Sequence, residues 1–179
     1  HLVGASMGGM IVQQFAVESP ERLHSLSILC SRCGGAISVP ATPEVIDRML
    51  RGASSEAGDA ARRTGLEVLF HPATFREAPE VIERMLANRR AQPHTPAELA
   101  RRSQGMAGWD VSDLLPHLHV PTLVMPCDAD LLVPPENSLR MAERIPGAEL
   151  VSVGDSGHCF FQEKPAATNA ALLDFLRRH

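Results

Sequence analysis

The 179-residue sequence has no tyrosine, one tryptophan and six phenylalanines, so it offers little aromatic surface on which sugars or nucleobases could stack. It has a single lysine, Lys164, and an excess of acids over bases that gives a net charge of -4. Nucleic acid is therefore excluded as the expected partner, since phosphate binding needs a surplus of clustered positive charge. No stretch reaches the roughly 18 apolar residues that a membrane helix requires, so no membrane association is expected. Four cysteines (Cys30, Cys33, Cys127, Cys159) are too few for a disulfide framework, and the lone Cys30-x-x-Cys33 has no second pair at zinc-ligand spacing. The two thiols are read as structural, no metal or cofactor is expected, and a reducing, cytoplasmic setting is. Repeats and low-complexity tracts are absent.

What is present is the composition of one globular domain, 44% hydrophobic and 21% charged. Charge is mixed: between Ala41 and Asp110 ten arginines face ten acids, as on a solvated surface. The chain opens on His1, and by residue 9 it has already passed Gly4-Ala5-Ser6-Met7-Gly8-Gly9. Leu2-Val3 reads as the end of a strand and 8–17 as a helix, with Met10, Ile11, Gln14 and Phe15 at helical spacing and Pro20 beyond its end. A second strand is expected over 23–30, bounded by Cys33-Gly34-Gly35.

Over 43–50, 60–70, 79–90 and 96–106 four helices follow without a convincing strand, three of them opened by proline. Val120-Pro121-Thr122-Leu123-Val124-Met125 then gives a continuous apolar run, the pattern of a strand buried on both faces of a parallel sheet. A helix over 135–145, a strand over 149–153 and a closing helix over 165–178, with Leu172, Leu173, Phe175 and Leu176 inward, complete the alternation. The expected fold class is α/β with a mostly parallel sheet. Residues 1–40 and 111–179 form its core, and 41–110 form a helical cap, too amphipathic to be a loop.

Three residues suggest one site. Gly4-Ala5-Ser6-Met7-Gly8 fits G-x-S-x-G, in which a serine on a strained strand-to-helix turn is pushed out at the carboxyl edge of the sheet. The same turn aims the Met7 N–H, at the helix N-terminus, toward developing negative charge. Serine needs a base, and the base needs an orienting acid. Of eight histidines, His24, His71, His94, His117 and His119 lie in or beside elements, and His1 and His179 are chain ends. His158 lies in Gly154-Asp155-Ser156-Gly157-His158, between the last strand and the last helix, where catalytic groups collect in open α/β sheets. Asp128 and Asp130, in the loop after the buried strand, both qualify as the acid, whereas Asp155 reads as a turn-former. The order serine, acid, histidine is that of the α/β-hydrolases.

On these residues the chain resembles the α/β-hydrolase superfamily along nearly its whole length. Leu2-Val3-Gly4-Ala5-Ser6-Met7-Gly8-Gly9 resembles the nucleophile elbow in the Ser-Met-Gly-Gly form of bacterial carboxylesterases, enol-lactonases and haloperoxidase-like members. Pro121-Thr122-Leu123-Val124 with Asp130 and Val133-Pro134-Pro135-Glu136 is similar to the acid-bearing strand and loop, and Gly157-His158 with Phe161, Glu163 and Pro165 to the histidine loop. The family pattern sets the acid three residues after a glycine, which points to Asp130, although Cys127 stands in the glycine's place.

The resemblance implies a serine hydrolase acting on a small carboxylic ester or lactone, with Ser6, Asp130 and His158 as a triad and the Met7 N–H in the oxyanion hole. Leu131, directly after the acid, and Trp109 are candidate pocket walls, with core packing the preferred reading for Trp109. A carbon-carbon bond hydrolase, a perhydrolase, or a non-catalytic binding module or inactive fragment of the same fold are the alternatives. Serine at the elbow argues against haloalkane dehalogenases and epoxide hydrolases. The family's early strands, and the second oxyanion donor they carry, have no counterpart before His1. About a hundred residues are therefore expected to precede it, at ~30 per strand-helix unit, and the first strand should be an exposed edge that makes this piece poorly stable alone.

Overall fold

Strands β1 (Leu2–Ala5), β2 (Leu26–Leu29), β3 (Thr122–Met125) and β4 (Glu149–Leu150) pair in that order as one parallel sheet, in a computed structural model that describes all 179 residues. All carboxyl ends therefore point to one edge. β2 and β3 are buried along their whole length, as strands covered on both faces are, and the small polar Ser27 and Thr122 are buried with their apolar neighbours. β1 pairs on one side only.

Alternation along the strands divides the core in two. Leu26 and Ile28 of β2 and Val124 of β3 face Val12 and Ala16 of helix α1 (Met7–Glu18) and Met141 of α7 (Glu136–Arg144). Leu29, Leu123 and Met125 face the other way, onto Phe160 of the short helix α8 (Phe160–Glu163) and Phe175 of α9 (Pro165–Arg178). Leu172 and Leu176 pack beside Phe175, but Leu173, expected inward, is 48% exposed. Residues 172, 175 and 176 share a helical face, and 173 lies about 100° away from 172.

Between β2 and β3 run α2 (Pro43–Ala53), α3 (Asp59–Leu66), α4 (Thr74–Glu77), α5 (Pro79–Ala91) and α6 (Pro96–Met106). Pro43, Pro79 and Pro96 each occupy the first helical turn, where the missing N–H costs nothing. Thr95 and Glu98 close a reciprocal capping box at α6. A separate core of Leu66, Val68, Phe70, Ile82 and Leu86 holds the segment together.

Several boundaries differ from the sequence reading. β2 begins at Leu26, because Pro20–Arg22 forms a 3₁₀ turn and Leu23 stays outside the ladder. Helix α3 ends at Leu66, and the apolar run that follows, Val68-Leu69-Phe70, packs in irregular backbone. β4 stops at Leu150, and Val153 rejoins the sheet edge only as a single bridge to Cys127. The short α4 has too few residues for periodicity to reveal it.

Candidate active site

Ser6 joins β1 to α1 with φ 56° and ψ -121°, a region that a residue with a Cβ enters only under strain. The turn is tight enough that a Cβ on Gly4 would strike the Gly8 carbonyl and lie 2.7 Å from Val12 Cγ2. Only glycine lets helix and strand approach so closely. Two bonds hold the strained residue: its N–H donates to the Leu29 carbonyl at 2.9 Å, and its own carbonyl accepts from Ser31 Oγ at 2.8 Å. Met7 is the first residue of α1, so its N–H has no intrahelical acceptor and points with the positive end of the helix dipole.

At the same sheet edge, His158 Nδ1 lies 2.7 Å from Asp130 Oδ2, with both side chains buried. The other carboxylate oxygen, Oδ1, accepts from the backbone N–H of Leu132 at 2.9 Å and of Val133 at 2.8 Å. Every strong acceptor site of Asp130 is thus turned to holding one geometry, with Nδ1–H donating and Nε2 left free. The ordering of Leu132 and Val133 by this carboxylate also puts their side chains in the wall of the cavity above Ser6.

Asp128 has a different partner set. Its carboxylate accepts from the N–H of Asp155 at 2.9 Å and of Ser156 at 3.2 Å, tying the loop after β3 to the loop before His158. Partial burial acts to raise its pKa, but these backbone donors outweigh that and hold it below the usual carboxylate value. Asp155 itself takes a left-handed turn conformation, φ 50°. Cys127 adds a third tie, its thiol donating to the Gly157 carbonyl at 2.9 Å.

Glu163 makes a contribution that only its place in the histidine-loop pattern hinted at. It accepts from Gly157 N–H at 2.6 Å, His71 N–H at 2.7 Å and Thr74 Oγ1 at 2.6 Å, pinning the histidine loop to the start of α4. Gly157 is wedged there: a Cβ would stand 2.8 Å from the His71 nitrogen and 2.9 Å from the Leu69 carbonyl oxygen. These partners are 89 and 92 residues apart in sequence, so no local pattern announces them.

A cavity of about 650 Å³ opens over Ser6 and Met7, walled by Leu132 and Val133 on the sheet side and by residues of α2, α5 and α6 on the other. It is mostly apolar, with Met10, Ile46, Met49, Leu50 and Met85 among its lining. Leu131 is 51% exposed and does not line it; the next two residues do. Trp109 borders a smaller adjoining cavity of about 270 Å³, donates Nε1–H to Gln14 Oε1 at 2.9 Å and packs against the sheet core. His94, passed over in the sequence, lines the large cavity and bonds to Arg102 Nη1.

No group of three His, Cys, Asp or Glu side chains is placed to hold a metal ion, and no helix is long and apolar enough to cross a membrane. All four cysteines are free and buried. Burial pushes the Cys30 thiol well up and the Cys159 thiol to about 12, so these groups stay protonated at neutral pH and are unreactive.

The sequence model of the Alpha/beta hydrolase family matches residues 1–171. The chain is 29% identical over 180 residues to a poly(3-hydroxyalkanoate) depolymerase of Ectopseudomonas oleovorans, covering 99% of this chain and 61% of that protein. It is 30% identical over 185 residues to a 2-hydroxy-6-oxo-6-phenylhexa-2,4-dienoate hydrolase of Comamonas testosteroni, covering 99% and 63%. Among solved structures, a thermophilic esterase from Thermogutta terrifontis superposes with a TM-score of 0.72 at 33% identity, over 98% of this chain and 64% of that one. The chain thus spans less than two thirds of the length of each of these proteins.

Proposed function

The chain belongs to the alpha/beta hydrolase family, and from that premise we propose that it is the catalytic part of a serine hydrolase that cleaves a small carboxylic ester or lactone through an acyl-enzyme. The observation that carries this reading is the strained Ser6 backbone on the same sheet edge as the buried His158–Asp130 pair. Strain at a residue with a Cβ persists only where the surroundings impose it, and it gathers at functional sites.

In this reading Ser6 Oγ attacks the acyl carbon while His158 Nε2 takes its proton. Asp130 fixes the imidazole tautomer and stabilises the imidazolium that forms. The Met7 N–H stabilises the oxyanion of the tetrahedral intermediate. His158 then returns the proton to the leaving alcohol, and a water activated by the same nitrogen releases the acid. Residues 41–110 act as a cap over a core of 1–40 and 111–179, which is supported by a cavity lined from both. Leu132 and Val133 replace Leu131 as the wall beside the acid, and Trp109 serves the core rather than the substrate.

Hydrolysis of p-nitrophenyl acetate tests the reading. The protein is expected to turn it over, and Ser6→Ala to abolish turnover while retaining the native circular dichroism spectrum. Unchanged hydrolysis in Ser6→Ala would remove Ser6 as the nucleophile. The 30% identical relative named as a dienoate hydrolase favours one second reading, carbon-carbon bond cleavage on the same serine, and that reading predicts faster turnover of a vinylogous 1,5-diketone acid than of any ester.

A further inference from the structure

Charge around the large cavity runs against that of the molecule. The chain carries 21 acids and 17 lysines and arginines, yet the 24 residues lining the cavity include Arg32, Arg89 and Arg102 and not one aspartate or glutamate. Two of the three arginines are engaged. Arg89 donates to the carbonyls of Gly52 and Arg62 at 3.1 and 3.2 Å, bridging α2 and α3. Arg102 is exposed and bonds to His94.

Arg32 is different. It is half-buried at the carboxyl end of β2, and its guanidinium has neither an ion pair nor a hydrogen bond within the protein. Its backbone is fixed: Gln13 Nε2 donates to its carbonyl at 3.0 Å. The preceding residue, Ser31, holds the Ser6 carbonyl, so Arg32 projects from the backbone that supports the strained serine. Asp110, which borders the adjoining cavity with Arg32, makes no ion pair with it; that carboxylate accepts from Ser112 N–H at 2.8 Å, and hydrogen bonding from the Ser112 backbone and then its side chain lowers its pKa.

A half-buried guanidinium with no partner inside the protein is free to take one from a ligand, and its planar fork matches a carboxylate bidentately. Most of the remaining lining is apolar, with Met10, Ile46, Met49, Leu50 and Met85 facing the space, and Asn88 and Gln92 add uncharged polar groups. We propose that the cavity takes a substrate with a free carboxylate at one end, anchored by Arg32, and an aliphatic spacer leading to the acyl group at Ser6. A half-ester of an aliphatic dicarboxylic acid has that chemistry. The inference rests on the serine-hydrolase reading for the acyl end only; the anion site stands on Arg32 and the lining.

Monomethyl adipate and methyl hexanoate differ chiefly in the terminal carboxylate, and proton release at constant pH follows the hydrolysis of both. The protein is expected to show a kcat/KM at least about tenfold higher for the half-ester, the factor one charge-assisted bidentate contact supplies. Arg32→Met should collapse that ratio by tenfold or more, and Arg32→Lys should restore part of it. Binding of the adipate dianion, followed calorimetrically in the protein and in Arg32→Met, reads the anion site without turnover. Adipate binding that depends on Arg32 with no ester hydrolysed would leave this proposal standing and sink the hydrolase reading. Hydrolysis that favours the neutral ester, or a ratio unmoved by Arg32→Met in a folded variant, would overturn this proposal and leave the hydrolase reading intact.

Discussion

Charge is used in opposite ways at the sheet edge and in the helical segment between β2 and β3. In residues 43–106 it sits in exposed pairs of long side chains, such as Arg51–Asp47 at 2.9 Å and Arg90–Asp59 at 2.9 Å, where solvent and salt screen most of the attraction. At the sheet edge the carboxylates of Asp128, Asp130 and Glu163 are met by backbone N–H groups and by His158. Backbone donors lose no side-chain entropy when they bond, so these carboxylates hold loops in place. The difference separates charge that keeps a surface solvated from charge that sets the geometry of chemistry.

Four substitutions would break or sharpen that contrast: the pair of acids first, from the largest expected effect, then the tie at Glu163, and last the surface pair. Asp130→Asn removes the charge facing His158 and changes which tautomer the ring adopts, so kcat for an ester substrate is expected to fall by about 10⁴. Asp128→Asn keeps an acceptor for one of the two N–H groups, and a fall of less than about tenfold is expected on the scale of one hydrogen bond. Equal losses in the two variants would erase the distinction between the acids. Glu163→Gln leaves an amide where three donors need a carboxylate, and it should cost about 1–3 kcal/mol of stability in urea unfolding and lower kcat more than it raises KM. At the small end, Arg51→Ala in the helical segment should change stability by less than about 0.5 kcal/mol.

Acid tests the same contrast. The folded pKa of Asp128 is depressed, so the stabilisation its clamp supplies is fully present above the unfolded value near ~3.9 and is lost as pH falls through the folded one. Proton exchange at the Asp155 and Ser156 amides should therefore stay protected through about pH 4 and open only as the pH falls below the unfolded value, through the depressed folded one.

Much of this architecture was written locally in the chain. Residues 120–125 announce a buried central strand by their apolar continuity, and Gly4 to Gly8 announce the tight turn because Gly4 has no room for a side chain against the start of the helix. Ser6, Asp130 and His158, far apart in the chain, lie at one edge because all the strands are parallel and end there. Local pattern could not choose between Asp128 and Asp130; the family resemblance pointed to Asp130, and the geometry sets Asp130 against His158 and Asp128 against two loop amides. The tie from Glu163 to His71 and Thr74 is invisible to periodicity, which reports the faces of one element and not contacts across ninety residues. Leu173 is exposed against expectation, and Leu131 lies outside the cavity wall, for a related reason: which of several adjacent apolar side chains turns inward is decided by neighbours elsewhere in the chain, as Asp130 Oδ1, which accepts from the backbone of Leu132 and Val133, illustrates.

The central claim is that Ser6 is a nucleophile activated by the His158–Asp130 pair, and labelling by a fluorophosphonate followed by peptide mass spectrometry tests it most directly. The account predicts a single adduct on the peptide carrying Ser6, absent in Ser6→Ala and slowed by orders of magnitude in Asp130→Asn. An adduct on another residue, or labelling of Ser6 at the same rate in Asp130→Asn, would contradict it.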